Sequence, residues 1–420
     1  MDSTSNLLQT LSNPTSSVNP NSFSSQGFRH FMLKEIYQQP EVIQACLTQY
    51  LGGQESEIRN QKDFRLQIAD FGLKPPDSRQ SPIANRQSPI PSSIPHPVNE
   101  IHIIASGTSR HAGLVAQFWL EQLAKIPTRV RSGSEFVEAP LPLTTHTLTL
   151  GITQSGETAD TLQALELEKQ RRSGLSAAYQ SCLLGITNHP ASSLAQQVDV
   201  VMATLAGTEV GVAATKTFTT QLLVLFLLTL DLANHRRAMQ HDRIQDFLNA
   251  LNQLPAKIQQ VFQQNSLIQT LAQQFVEAQS CVLLGRGISR AIALEGALKL
   301  KETTYLHAEG YAAGEFMHGP IALLDERVPV IAIAPAGTYP AIFSNVQKAK
   351  SHGSPVIGIV AADNAAETAG VFDTQIVVPA VDEVLSPILT VIPLQLLAYH
   401  IAVLRGLDVD RPRNITKTLV

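Results

Sequence analysis

The chain has 420 residues, of which 44% are hydrophobic and 16% charged, and carries a formal net charge of -4. This length accommodates two or three domains with sizeable cores, and the near-neutral balance gives no electrostatic reason to expect nucleic acid or an anionic membrane as partner. Three scattered cysteines are too few for a disulfide framework or a four-ligand zinc site, so neither a metal nor a cofactor is expected.

Residues 1–26 are rich in Ser, Asn, Thr and Pro without a sustained apolar period, and read as disordered. No basic-then-apolar signal opens the chain, and the longest apolar run, Leu222 to Leu230, is too short to cross a bilayer. A soluble cytoplasmic protein is therefore expected. From Phe28, "FRHFMLKEIYQQPEVIQACL" has helical spacing broken at Pro40, and a helical segment is expected over 27–73. Residues 74–97 are Pro-rich and repeat "RQSPI" at Arg79 and Arg86, as a flexible linker would.

From Ile101 short apolar runs ("IHIIAS", "LTLGIT", "CLLGIT", "DVVMAT") alternate with longer stretches of helical period. Buried parallel strands joined by crossover helices have this texture. After a helical stretch from about His241 to Glu277 the pattern restarts as "CVLLGRG", "VPVIAIAP", "PVIGIV" and "TQIVVPA". "IIASGTSR" (103–110) aligns with "LLGRGISR" (283–290), and "LLGITN" (183–188) with "PVIGIV" (355–360). Duplication of one α/β unit explains this, giving two doubly wound parallel sheets flanked by helices, over 98–240 and 271–410. A helical connection over 241–270 and a tail over 411–420 complete the division.

Open parallel sheets bind ligands beyond the carboxyl ends of their strands, so the turns there are the places to seek chemistry. "ITQSGETADT" (152–161) places Thr153, Gln154, Ser155 and Thr158 in a Gly-containing turn before a helix expected from about Glu157. Neutral donors and a helix N-terminus suit a phosphate monoester, although capping by Ser155 or Thr153 is the simpler reading of the decapeptide alone. "SGTSRHAG" (106–113) repeats the design with Thr108 and Ser109, and two such turns from adjacent strands favour a ligand site. "EVGVAATKTFTTQ" (209–221) is a third small-residue loop, whose Lys216 reads equally well as an exposed first-turn residue. Glu295, Lys299 and Glu302 share one helical face, either as solvated ion pairs or, given the apolar flanks, as part of a site. Of His307 and His318, the second lies before Gly-Pro and is the better candidate for proton transfer.

Together these segments resemble the sugar-isomerase half of the glutamine–fructose-6-phosphate aminotransferase (glucosamine-6-phosphate synthase) family, which is built from two sugar isomerase (SIS) domains. The likeness rests on "GTSRHAGLVAQFWLEQLAKIP", "TQSGETADTLQAL", "GTEVGVAATKTFTTQL", "GRGISRAIALEGALKLKETTYLHAEGYAAGEFMHGPIAL" and "IPLQLLAYHIAVLRGLDVDRPRN", and runs from about Phe28 to Lys417. It implies a fructose-6-phosphate site with its phosphate on Thr153, Gln154, Ser155 and Thr158, Thr108 and Ser109 nearby, and further contacts at Val212, Ala213 and Thr416. It also implies roles: Lys417 as the Schiff-base amine at the ketose C2, Glu302 as general base, His318 as the ring-opening group and Lys299 as a supporting lysine. In the family that histidine crosses a subunit interface, which implies a homodimer. No cofactor is implied.

Family synthases begin with a glutaminase domain whose nucleophile is a cysteine at the second position; here that residue is Asp2. The chain alone is expected not to hydrolyse glutamine. Smaller departures are Ala214 and Met317, together with threonine at 153 and 416. Three readings follow: an isomerase or ammonia-dependent aminotransferase, with ammonia free or from a separate glutaminase chain; an SIS-type glucosamine-6-phosphate deaminase; or a non-catalytic sugar-phosphate sensor. Retention of Lys417, Glu302 and His318 favours the first.

Overall fold

A computed structural model describes residues 27–52, 97–335 and 339–417. The expected disordered N-terminus, part of the helical segment and nearly all of the Pro-rich stretch with both "RQSPI" copies lie outside the described residues.

Ten strands form two five-stranded, wholly parallel sheets. The first holds β1 (Glu100–Ala105), β2 (Thr128–Arg131), β3 (Thr147–Ile152), β4 (Cys182–Thr187) and β5 (Val200–Ala203) in the order β2-β1-β3-β4-β5. The second holds β6 (Ser280–Gly285), β7 (His307–Ala312), β8 (Val330–Ala334), β9 (Val356–Ala361) and β10 (Thr374–Val378) in the order β7-β6-β8-β9-β10. The two windings are the same, as duplication requires. In each, the strand order reverses beside the first strand, which opens a crevice between first and third strands.

The apolar runs became strands, and the central ones are buried on both faces: β1, β3, β4 and β9 have every residue buried, whereas β10, at an edge, is largely half-buried. Two strands, β2 and β7, had no such run. Both are edge strands; β2 alternates buried and exposed residues, and β7 (HAEGYA) is mostly half-exposed. An edge strand needs only one apolar face, and four or six residues give that pattern little length to declare itself.

A single buried core runs through both repeats and includes Leu150, Phe226, Leu283, Ile331 and Leu397. Trp119 joins the repeats: its Nε1 donates to the Val384 carbonyl at 2.8 Å, while its ring meets Phe226 edge-on at 5.0 Å. Helix Lys216–His235 and the stretch Glu383–Leu404 are long and apolar enough to cross a bilayer, yet 94% and 89% of their apolar windows are buried inside the protein. They are core helices.

At the N-terminal end, Pro40 starts the second of two helices, Phe31–Tyr37 and Gln39–Leu51, in a first-turn position where its missing N–H costs nothing. Asp410 ties the first helix down by accepting from the Phe31 and Met32 amides at 2.9 and 2.8 Å. Tyr50 donates to the Ala203 carbonyl, at the end of β5.

Candidate active site

The turn after β3 is fixed by the turn after β4. The Gln154 carbonyl accepts from the Asn188 amide at 3.0 Å and the Thr187 hydroxyl at 3.3 Å, and Glu157 accepts from the Ser193 amide at 2.8 Å. Gly156 has φ +73°, and a Cβ there would stand 1.9 Å from Ser192 Oγ, so this close approach requires glycine. The helix begins at Ala159, two residues later than the sequence suggested, with Thr158 at its N-cap position. Neither Thr153 nor Ser155 caps it. Instead the Thr153 and Thr158 hydroxyls pair at 2.6 Å, and Ser155 Oγ accepts from the Glu157 amide at 3.1 Å. The hydroxyls thus gather at the mouth of a 14-residue helix, whose first-turn amides lack intrahelical acceptors.

The turn after β1 leads into helix Gly107–Gln122, which packs against helix Ser289–Thr304 of the second repeat. Thr108 Oγ1 donates to Glu295 at 3.1 Å and accepts from Lys299 Nζ at 3.2 Å, so its hydroxyl is a strut between repeats. Ser109 Oγ accepts from Gln221 Nε2 at 3.0 Å, which leaves its own proton to donate. His111 Nδ1 lies 2.7 Å from Glu295 Oε2.

Glu295, Lys299 and Glu302 do share one helical face, but not a solvated one. Lys299 Nζ is 2.5 Å from Glu302 and 3.4 Å from Glu295, with Lys299 and Glu295 fully buried. Burial opposes the Lys299 charge, yet Glu302 and Glu295 overrule it and hold its pKa above the ordinary value, with a contribution from Glu209. Glu302 is partly open to a cavity of about 440 Å³ that it shares with Tyr305, Arg413, Asn414 and Ile415. The tail therefore passes directly over this carboxylate.

Two residues beyond that cavity, Lys417 turns inward. Its Nζ is 2.5 Å from Glu209 Oε2 and 2.8 Å from the Gly211 carbonyl. Burial would raise the Glu209 pKa, but the Lys417 ammonium and donors from Thr217 and Thr215 pull it down to about 2. His189, after β4, has its pKa lowered by burial and by the Lys417 charge. Val212 and Ala213 form the same loop, with the Val212 amide donating to the Asp410 carbonyl at 3.2 Å; Thr416 is exposed.

Of the readings left open for Lys216, the exposed first-turn residue is excluded. Lys216 is 3% exposed and donates to Gln38 Oε1 at 3.0 Å, because the N-terminal helices cover the start of its helix. The sequence also gave no notice of Glu209 or Glu35, carboxylates buried among small residues and brought together from distant segments. His318 lies exposed on the turn after Phe316; among the described residues no side-chain hydrogen bond or ion pair joins it to the cluster, and His307 is exposed on β7. No group of three or more His, Cys, Asp or Glu able to hold a metal occurs among the described residues.

The SIS domain family model matches this chain twice, at residues 96–230 and 274–405. Glutamine–fructose-6-phosphate aminotransferase [isomerizing] of Thermosynechococcus vestitus is 51% identical over 403 residues, covering 96% of this chain and 61% of the relative. The protein of the same name from Synechocystis sp. is 51% identical over 396 residues, covering 94% and 59%. The chain thus spans about three-fifths of the length of the curated relatives it matches. Among solved structures, the C-terminal domain of glucosamine-fructose-6-phosphate aminotransferase from Francisella tularensis superposes with a TM-score of 0.80 at 33% identity, covering 93% of this chain and all of that one. Two matched repeats, with the sheets and inter-repeat cluster described above, lead to one assignment: the chain belongs to the SIS domain family, as the double-SIS half of the glutamine–fructose-6-phosphate aminotransferases.

Proposed function

We propose that the chain isomerises fructose-6-phosphate and, given ammonia, converts it to glucosamine-6-phosphate. The observation that carries this reading is the inward-turned Lys417, seated on Glu209 and the Gly211 carbonyl beside the strand-end turns. A monophosphate dianion sits at the Thr153, Gln154, Ser155 and Thr158 turn, with Ser109 donating and Thr108 contributing its first-turn amide. Lys417, once it has lost its proton and left Glu209, attacks C2 of the open-chain ketose. Loss of water gives an iminium, and ammonia adds to it at C2 and expels the Lys417 amine, so that the sugar carries its own iminium. The positive nitrogen accepts the electron pair released when Glu302 takes a C1 proton, and Glu302 returns that proton at C2, which leaves a carbonyl at C1 and the amine at C2. Without ammonia, the lysine adduct is hydrolysed back to the ketose, and Glu302 moves the same proton on the free ketose through an enediol, so the aldose leaves with its C2 oxygen in place. Lys299 Nζ, 2.5 Å away, holds the Glu302 carboxylate in place, and Val212, Ala213 and Thr416 line the sugar.

Ring opening falls to His318 of a neighbouring copy, in keeping with its exposed position and lack of a partner in its own chain among the described residues. The working unit is then a homodimer. Ammonia is free or comes from a separate glutaminase chain, since all three cysteines of this chain are buried; a cytoplasmic setting fits phosphorylated substrates. The test is product analysis by mass spectrometry with fructose-6-phosphate, with and without ammonium or glutamine. Glucosamine-6-phosphate that requires ammonium supports the reading; ligand binding without any turnover contradicts it.

A further inference from the structure

The loop that seats Lys417 is held from outside both SIS repeats. Glu35, on helix Phe31–Tyr37, accepts from the Val210 amide at 2.5 Å and from the Gly211 amide at 3.2–3.3 Å. The same Gly211 offers its carbonyl to Lys417. A side chain at 211 would place its Cβ 2.8 Å from Glu35 Oε2, so the approach depends on glycine there. Glu35 is 2% exposed, and its helix is itself capped by Asp410 (immediately before the tail), whose carbonyl accepts from Val212. N-terminal helix, lysine loop and tail therefore close a ring: Glu35 to Val210 and Gly211, Gly211 to Lys417, Asp410 back to Phe31 and Met32.

We infer that Glu35 is a positioning residue for Lys417, so that the helices over 27–52 are part of the amine's seat rather than a passive extension of the fold. The amides of Val210 and Gly211 are the first-order contacts. Without their acceptor they would turn to other partners, carrying the Gly211 carbonyl with them. The requirement is for an acceptor oxygen and not for a charge. Burial and the neighbouring Glu209 push the Glu35 pKa up to about 8, and a neutral carboxyl still accepts through its carbonyl oxygen. The charged groups around Glu35 are Glu209, Lys216 and Lys417.

The inference rests on the proposed role of Lys417, and its test is built to read the lysine without any sugar. Amines of the whole chain are labelled with trace acetic anhydride over a pH series, and the Lys417 peptide is quantified by mass spectrometry, beside kcat and KM for fructose-6-phosphate. Glu35→Ala is expected to label Lys417 at least tenfold faster than wild type and to lower kcat by a similar factor, with KM changed less than threefold. Glu35→Gln, which keeps an acceptor oxygen, is expected to restore both to within threefold of wild type. Glu41→Gln, at an exposed position on the next helix, changes neither. If Glu35→Ala does not fold, Glu35→Met fills the space without an acceptor and takes its place. Wild-type labelling of Lys417 in the folded Ala or Met variant overturns the inference. So does equal loss in the Gln variant. Wild-type protein that processes no sugar overturns the proposed function, while the labelling still decides the role of Glu35.

Discussion

Thr108 of the first repeat and Lys299 of the second meet at 3.2 Å, and the same hydroxyl donates to Glu295 at 3.1 Å. One small side chain thus couples the turn after β1 to the buried ion cluster of the duplicated half. The site belongs to neither repeat alone.

Lys299 is the cation between Glu295 and Glu302, and its loss leaves one carboxylate fully buried without its counter-charge. Lys299→Met is expected to destabilise the fold by about 3–5 kcal/mol, the cost of breaking a buried pair from one side. Urea unfolding followed by circular dichroism measures it. A loss below about 1 kcal/mol would mean that the cluster behaves like surface ion pairs.

Glu302 is asked to move a proton between C1 and C2. Glu302→Gln keeps the shape and removes the base, so kcat is expected to fall by about 10²–10⁴-fold with KM nearly unchanged. Exchange of the C1 proton with deuterated solvent, read by NMR, should stop with it. Continued exchange would assign the proton to another group.

The dimer claim is tested by mixing inactive variants. Lys417→Ala and His318→Ala are each inactive, but a mixed dimer contains one site with both native residues. Random reassembly should restore about a quarter of wild-type activity, because half the dimers are mixed and each has one intact site. No recovery on mixing would place His318 in the site of its own chain or outside the reaction.

Two buried carboxylates give opposite pH signatures. Glu209 titrates at about 2, below its ordinary 4.5, so its stabilising contribution is present above 4.5 and is lost as pH falls through about 2. Glu35 is raised to about 8, so the folded state holds its proton more tightly, and its contribution declines as pH rises from 4.5 through about 8. Relative to wild type, Glu35→Gln should therefore gain stability as pH rises across that window, read as the urea midpoint at each pH. A constant difference would show that Glu35 does not titrate there.

Much of this architecture was readable in the sequence, for definite reasons. Eight of the ten strands carry a short, mostly apolar run and announced themselves, the six central ones because both their faces are buried, and the repeated Gly-Ser turns exposed the duplication. β2 and β7 did not: each lies at an edge, and their sequences, TRVR and HAEGYA, carry polar residues on the open face. The strand-end turns were legible because hydroxyls and glycines cluster there in few residues. Glu35 and Glu209 were not: they lie 174 positions apart, and nothing local distinguishes a carboxylate that will meet a loop from one that will meet water. Lys216 was left open for the same reason, since its cover, Gln38, comes from the distant junction of the two N-terminal helices.

The central claim is that Lys417 bonds covalently to the sugar. The direct measurement is reduction with borohydride in the presence of fructose-6-phosphate, followed by peptide mass spectrometry. The account predicts one stable sugar-phosphate adduct on Lys417, absent without sugar and absent in Lys417→Ala. An adduct on another lysine, or turnover with no trapped adduct at all, would contradict it.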